Sequence, residues 1–210
     1  MSAPIANSIR STPWSGTHSD EQASLSLEGR SVELPVVVGS EGEKALDISR
    51  LRTGTGFITL DEGYVNTGST TSGITFLNGE EGILRYRGYP IEELAARCDF
   101  IEVAYLLIYG ELPKKPELDM FRHSLSNHSM IHEDMRSFYN GFPRDAHPMA
   151  IVGSVVGALS TFYQDSLDVR DPKQVEVSVH RLLAKLPTIA AYSYKKSIGQ
   201  PLIYPRNDRS

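Results

Sequence analysis

The most constraining feature of this sequence is a nearly all-apolar segment from Pro148 to Tyr163. Proline suits the first turn of a helix, and the run after it, MAIVGSVVGALSTFY, carries no charged side chain. With about 16 residues, the segment is shorter than the roughly 18 apolar residues that a membrane-spanning helix needs. It therefore predicts a helix that is buried in a protein core or in an interface.

Small residues occupy one side of this predicted helix. Gly153 and Gly157 are four positions apart and share a face, with Ala150, Ser154 and Ala158 nearby. Small side chains at this spacing allow two helix backbones to approach closely. Two interpretations follow from the residues alone. The segment is either an ordinary core helix or a helix that packs against its mate across a subunit interface.

Helix signals continue through the whole second half of the chain. Pro90 suits a first helical position, and Asp99 with Glu102 forms the pattern of a capping box for a helix that Gly110 ends. The remaining predicted helices are 116 to about 138 with a break near Asn127, 172–186 after Asp171, and a last helix that Pro187 opens and Gly199 closes. The fold class is therefore predicted to be mainly α.

A small β-rich region is predicted in front of the helices. Residues 31–38 include β-branched runs, and an Asn78-Gly79 turn signal separates Ile74–Phe76 from Gly82–Leu84. Residues 1–24 are rich in Ser, Ala, Thr and Pro without hydrophobic periodicity, which predicts a disordered tail. The predicted organisation is a tail at 1–24, a β-rich lead region at 25–88 and a helical part at 89–210.

Composition excludes several classes of protein. A net charge of −5 and a pI near 5.7 argue against a nucleic-acid partner, and no apolar run is long enough to cross a membrane. A single cysteine, Cys98, excludes a disulfide framework and favours a reducing compartment. The stretch before residue 24 has no secretory signal, and Arg10 as its only basic residue makes it a poor mitochondrial leader. We expect a cytoplasmic location.

The basic residues are concentrated in the second half. Residues 1–110 hold 8 basic and 15 acidic side chains, whereas residues 111–210 hold 13 and 11. This difference is too small to indicate an anionic polymer as partner. It leaves room for local anion pockets among Arg122, Arg136, Arg144, Arg181 and Lys185, although solvated surface cations are the plainer interpretation.

No pattern of nucleophile, base or metal ligands stands out. The chain has no Gly-x-Ser-x-Gly elbow, no dinucleotide or Walker-type glycine loop and no His-Glu-x-x-His pair. His128 and His132 have the four-residue spacing of helical metal ligands, but further ligands are missing, so hydrogen-bonded histidines are expected. His147 is expected to cap a helix, and Cys98 to be a small core residue. We predict no metal site and no resident cofactor.

Several specific strings resemble the citrate synthase family. The first is FLNGEEGILRYRGYPIEELA, from Phe76 to Ala95. The strings RDAHPMA at 144–150, FYQDS at 162–166, SIGQP at 197–201 and YPRND at 204–208 follow in the family's order. Together with the β-rich lead, they resemble the bacterial, hexamer-forming (type II) kind. The resemblance implies that the helices belong to the family's large domain.

The resemblance also implies a reaction, the condensation of acetyl-CoA with oxaloacetate and water to citrate and CoA in the tricarboxylic acid cycle. A carboxylate would remove a methyl proton, histidines would stabilise the enol and polarise the ketone, and arginines would hold the substrate carboxylates. In the family these residues lie further along a chain about twice this length. The catalytic residues are therefore expected beyond Ser210, and the 210 residues alone are expected to be inactive.

Two further properties are implied by the same resemblance. The family's homo-oligomers are built from dimers, and the hexameric type implies a trimer of dimers, which favours an interface for the helix of Gly153 and Gly157. Some members of the family are inhibited by NADH at an allosteric site. The positions that contact the nucleotide there correspond in this sequence to His128, Met130, Tyr163, Arg181 and Lys185. Asn127 stands where NADH-sensitive members have an arginine, which removes one cation from this site.

Two alternative functions stay open. A 2-methylcitrate synthase would share the fold, with its acyl pocket also beyond Ser210, but the β-rich lead favours citrate synthase. The chain could instead be a non-catalytic interaction module that pairs with a complete subunit.

Overall fold

The computed structural model describes residues 17–206 and divides them into two compact units, one up to residue 91 and one from residue 92 onward. The sequence analysis placed this division between residues 88 and 89. Each unit is described separately below.

The first unit begins with a three-stranded antiparallel sheet. Its strands are β1 (Thr17–Leu27), β2 (Arg30–Val38) and β3 (Lys44–Leu46), in the order β1-β2-β3. A two-residue turn joins β1 to β2, with Glu28 and Gly29 both at positive φ. On β2, Leu34 and Val36 alternate with exposed positions and are buried.

The prediction of a disordered tail through residue 24 is wrong for residues 17–24. These residues belong to β1, and Ala23 and Ser24 pair with Leu34 and Glu33 of β2. The strand could not be recognised from the polar composition of this segment, because the buried apolar side chains of the β1–β2 pair belong to β2. The rest of the predicted tail, residues 1–16, lies outside the described residues.

A short helix and a second small sheet complete the first unit. Helix α1 (Leu51–Thr55) precedes strands β4 (Thr75–Asn78), β5 (Ile83–Tyr86) and β6 (Tyr89–Pro90), which pair antiparallel in that order. The predicted Asn-Gly turn connects β4 and β5. The Asn78 side chain accepts hydrogen bonds from the backbone N–H groups of Glu80 and Glu81, which fixes a four-residue loop.

The second unit is helical. Helix α2 (Ile91–Arg97) starts at the division, one residue after Pro90, and is followed by α3 (Phe100–Tyr109), α4 (Lys115–His128) and α5 (Glu133–Asn140). Helix α6 (Pro148–Phe162), a 3₁₀ turn (Gln164–Ser166) and α7 (Pro172–Ser197) complete the unit. A mainly α chain with a β-rich amino-terminal region is therefore observed.

Side-chain caps set the helix starts that the sequence predicts. Asp99 accepts hydrogen bonds from the N–H groups of Ile101 and Glu102, and the Glu102 carboxylate accepts one from the Asp99 N–H. His147 accepts from Met149 N–H at the start of α6, so its predicted role as a helix cap is confirmed. Gly110 ends α3 in the left-handed conformation.

Pro187 does not open a separate helix, contrary to the sequence analysis. It lies inside α7, a single helix of 26 residues. A proline inside a helix removes one backbone hydrogen bond at a cost of about 3 kcal/mol. Buried side chains on both sides of it, Ala184 and Lys185 before and Ile189 and Tyr192 after, hold the helix together through tertiary packing.

The core of this unit joins α5, α6 and α7. Its buried residues are Ile131, Met135, Tyr139, Ile151, Val155, Leu159, Ile189 and Tyr192. Ile151, Val155 and Leu159 recur every four residues, so α6 buries one face, as its apolar sequence predicts. None of the helices described between residues 17 and 206 combines the length and apolar character needed to cross a membrane.

Candidate functional site

The five residues of the predicted nucleotide site come together in the second unit. Arg181 and Lys185 are four residues apart on α7 and therefore share a face. Tyr163 follows the last turn of α6, and His128 and Met130 flank the start of the connection between α4 and α5. These three elements meet around the Tyr163 ring.

Lys185 is the central residue of this cluster. Its side chain is only 3% exposed, and Nζ donates hydrogen bonds to the backbone oxygens of His128 (2.8 Å) and Met130 (2.5 Å). The same ammonium lies 4.7 Å from the centre of the Tyr163 ring. Burial, together with the nearby charge of Arg181, lowers the pKa of Lys185 from 10.5 to about 8.

Arg181 lies beside Lys185 and forms a two-pronged ion pair with Asp165. Its Nη1 and Nη2 donate to the Asp165 carboxylate oxygens at 2.5 and 2.8 Å, and Nη1 also reaches Ser166 Oγ at 2.9 Å. The guanidinium carbon lies 4.9 Å from the centre of the Tyr163 ring. The hydrogen bonds from Arg181 lower the pKa of Asp165. Asp165 was not identified from the sequence, because it lies 16 positions before Arg181 with no pattern linking the two.

A small cavity of about 190 Å³ opens beside these residues. Its wall combines Tyr163, Arg181 and Lys185 with apolar and hydroxyl side chains, namely Val156, Leu159, Ser160, Ser166, Leu167, Ser178 and Leu182. This volume is below the 300 to 1,000 Å³ of typical small-molecule sites. In this state Arg181 is held by Asp165 and Lys185 by two carbonyls, so an anionic ligand has to compete with partners already in place.

The other residues singled out in the sequence have structural contacts. His128 Nδ1 lies 2.8 Å from the backbone oxygen of Ser124, and His132 caps α5 by accepting from the Asp134 N–H. Asn127 is exposed and lies 2.9 Å from His123 Nε2. Across residues 17–206, no group of three or more His, Cys, Asp or Glu side chains is arranged to hold a metal ion. Cys98 is partly buried, and burial raises the pKa of its thiol.

A buried histidine that sequence reasoning missed lies on α7 close to this cluster. His180 Nε2 lies 2.9 Å from the Tyr109 hydroxyl of α3, and Nδ1 lies 2.7 Å from Ser124 Oγ of α4. Burial, and then the proximity of His128, lowers the pKa of His180. The neutral ring therefore ties three helices together through hydroxyl groups on two of them.

The predicted small-residue face of α6 is exposed in the single chain. Gly153 and Gly157 both face open space, and a Cβ added at either position would meet no atom within 4 Å. Ser154 and Ser160 lie on the same exposed side, and their hydroxyls donate back to carbonyls of α6. This face is free for close contact with another helix.

Comparison with known families identifies the chain. Residues 63–210 match the family model described as "Citrate synthase, C-terminal domain". The chain belongs to the citrate synthase family. It is 53% identical over 188 residues to citrate synthase 1 of Mycobacterium tuberculosis, in both strain H37Rv and strain CDC 1551. That alignment covers 90% of this chain but only 44% of the relative, so the chain spans less than half of its relatives' length.

Solved citrate synthases have the same fold over most of the chain. The enzyme from Thermotoga maritima MSB8 is 30% identical with a TM-score of 0.60, covering 71% of this chain and 38% of that one. The enzyme from Pyrobaculum aerophilum is 28% identical with a TM-score of 0.63, covering 82% and 41%. The Thermoplasma acidophilum enzyme, solved with carboxymethyl coenzyme A and oxaloacetate, is 21% identical with a TM-score of 0.64 over 70% and 39%. The predicted citrate-synthase-like helical fold is confirmed.

Proposed function

We propose that this chain is part of an enzyme that condenses acetyl-CoA with oxaloacetate and water to give citrate and CoA. The observation that carries the proposal is the 53% identity to a citrate synthase over 188 residues. In this proposal, residues 92–206 supply large-domain helices. The residues that remove the methyl proton and hold the two substrates lie outside residues 1–210. The reaction uses acetyl-CoA as a substrate and needs no resident cofactor.

The chemistry explains why a partial chain is expected to be inactive. The α-proton of a thioester is weakly acidic, so its removal needs a positioned base and donors aimed at the developing oxyanion. In the Lys185 cluster the one carboxylate, Asp165, is held by an ion pair with Arg181. Asp165 is therefore not placed as a free base.

The test is an assay for the free thiol of CoA, run on the 210-residue chain and on the protein at its natural length. We expect thiol release with acetyl-CoA and oxaloacetate from the natural-length protein and none above background from the 210 residues. Propionyl-CoA in place of acetyl-CoA distinguishes a 2-methylcitrate synthase, for which it would be the better substrate. Turnover by the 210 residues alone would refute the placement of the catalytic groups. Inactivity of the natural-length protein with both substrates would favour the interaction module.

We further propose that the enzyme is a homo-oligomer built from dimers, with three dimers in the hexameric type, and that the exposed face of α6 forms a subunit contact. The support is that Gly153 and Gly157 leave open space on the side of α6 opposite to its buried residues. Replacing Gly157 with Leu adds bulk at the point of closest approach, so self-association should weaken at least about tenfold. Gly157→Ala, which adds a single methyl group, is the matched control. Sedimentation velocity that shows an unchanged assembly for Gly157→Leu would exclude this face.

A second candidate function is binding of NADH as an inhibitor at the Lys185 cluster. The observation that favours it is the convergence of His128, Met130, Tyr163, Arg181 and Lys185. Two adjacent cations suit a pyrophosphate. Asp165 forms an ion pair with Arg181 and so competes with the pyrophosphate of NADH for its guanidinium. Asp165→Asn should therefore tighten NADH binding, whereas Arg181→Gln should weaken it about tenfold or more.

Both effects can be read from the fluorescence of NADH as the protein is titrated into it. Arg170→Gln, an exposed arginine on the loop before α7, is the control for loss of one positive charge. If the Asp165, Arg181 and Arg170 variants bind NADH with equal affinity, the proposal that NADH binds at this site is wrong. The proposed reaction would be unaffected by that result.

A further inference from the structure

A second, larger cavity lies at the carboxyl end of α7. Its volume is about 500 Å³, within the range of sites for small molecules. Helix α5 contributes Arg136, Ser137, Tyr139 and Asn140, the following segment contributes Arg144, and the end of α7 contributes Lys196 and residues 199–202. It shares no lining residue with the cavity beside Lys185. Lys185 and Lys196 are separated by roughly 16 Å along the helix axis.

The lining of this cavity is cationic and lacks a balancing acid. Arg136, Arg144 and Lys196 contribute positive charges, and no carboxylate belongs to the wall as the described residues form it. Arg136 is already engaged, since Nη1 donates to Glu133 Oε1 (2.9 Å) and to the Tyr204 hydroxyl (2.6 Å) and the guanidinium stacks on the Tyr204 ring. Arg144 and Lys196 make no ion pair with any residue between 17 and 206. Two positive charges therefore remain unbalanced.

The end of α7 does not use the Lys196 ammonium as a cap. The Gln200 N–H donates to the backbone oxygen of Lys195 (2.8 Å), and the Gly199 N–H donates to that of Lys196 (3.2 Å). This pair of bonds is the Schellman arrangement, with Gly199 at φ +70° as its left-handed residue. Because the backbone satisfies these terminal carbonyls, the ammonium is available to a ligand.

Gly199 leaves room for the Arg144 guanidinium beside the end of α7. A Cβ added to Gly199 would overlap Arg144 Nη2, so this close approach is possible only at a glycine. The helix end therefore accommodates the guanidinium of Arg144, which belongs to the cavity wall. Ser137 and Asn140, one turn apart on α5, line the same space.

We propose that this cavity binds a compact anion with two or more negative charges, either a phosphate compound or a polycarboxylate. Arg144 would bind two oxygens of the ligand through its planar fork, and Lys196 would contribute a point charge. Ser137 and Asn140 would donate to the remaining oxygens. The binding is independent of the Lys185 cluster and of the proposed reaction.

The test is isothermal titration calorimetry on the natural-length protein with pyrophosphate and with citrate, each at an ionic strength fixed with NaCl. We expect saturable binding that includes one anion per chain whose affinity depends on Arg144, whereas citrate bound as the product of the proposed reaction and pyrophosphate bound at the Lys185 cluster should not depend on Arg144. Arg144→Gln should weaken it about tenfold or more, since it removes a bidentate charge-assisted contact. Arg170→Gln removes an exposed arginine that lines neither cavity and should leave the affinity within about twofold.

A second variant tests the geometry at constant charge. Gly199→Ala keeps all three cations but puts a methyl group where Arg144 Nη2 lies, so the guanidinium has to move and binding should weaken in protein whose folding is verified by thermal melting. For the binding that depends on Arg144, a tighter affinity for pyrophosphate than for citrate assigns a phosphate ligand, and the reverse assigns a polycarboxylate. Heats that match NaCl alone, or an Arg144→Gln affinity equal to that of Arg170→Gln, would overturn the proposal.

Discussion

Lys185 offers a sharp test of the energetics around the candidate nucleotide site, because two opposing effects act on one buried ammonium. Burial favours the neutral amine, whereas the hydrogen bonds to the backbone oxygens of His128 and Met130 favour the charged form. The balance lies with burial, and the pKa falls from 10.5 to about 8. Stability must therefore depend on pH in the alkaline range.

The direction follows from proton binding. Between pH 8 and 10.5 the unfolded chain holds the Lys185 proton more tightly than the folded chain, so the free energy of unfolding rises with pH. Below pH 8 both states are protonated and the contribution is flat. From pH 7 to pH 9 the expected gain is about 1.4 kcal/mol, which corresponds to one pKa unit.

The assay is urea unfolding followed by circular dichroism at pH 7, 8 and 9 for the natural protein and for Lys185→Met. Other titrating groups contribute equally to both proteins, so the difference between them isolates Lys185. Lys173→Met, an exposed lysine in the first turn of the same helix, should retain the rise. The reasoning would be refuted if the natural protein gained no stability relative to Lys185→Met, or lost stability, because the two carbonyls would then outweigh burial.

Three further predictions concern the helical unit. Because the pKa of His180 is lowered in the folded state, the free energy of unfolding should fall as pH drops below about 6.5, and His180→Phe should flatten this slope in the same urea assay. Met135→Ala should cost about 2 to 5 kcal/mol, since this side chain is fully buried in the α5–α6–α7 core; a loss below 1 kcal/mol would contradict that packing. Asp99→Ala should cost about 1 kcal/mol more than Asp119→Ala, because each loses a surface ion pair, with Arg122 and Lys115 respectively, but only Asp99 also caps α3. Equal melting temperatures for the two variants would argue against the capping box.

The helical half of the fold was largely predictable because its signals are local. The Asp99 carboxylate and the His147 ring nitrogen accept hydrogen bonds from N–H groups at most three residues further along the chain. Gly110 adopts the left-handed conformation that ends α3. The apolar run of α6 had to be buried somewhere. The family was also predictable, because short strings of residues within the matched range 63–210 are specific to it.

The errors arose where a distant partner decided the outcome. Residues 17–24 look like a polar tail, but the backbone of β2 pairs with them. Pro187 should end a helix by local rules, but packing of Ile189 and Tyr192 in the core outweighs the lost hydrogen bond. Local propensity is worth at most a few kcal/mol per residue, and tertiary burial of several side chains exceeds it.

The amino-acid sequence by itself determined the capped starts of α3 and α6, the buried face of α6 and the citrate synthase family, because each depends on residues close together in the chain. The tertiary structure alone decided which charges are already paired. Arg181 is occupied by Asp165 across 16 residues, and Lys185 is buried under carbonyls that lie 55 and 57 residues away. Arg144 and Lys196, by contrast, face an open cavity. The sequence gives only the number of charged residues, whereas the energy of their interactions depends on the distances between them and on their burial. Both are set by the tertiary fold.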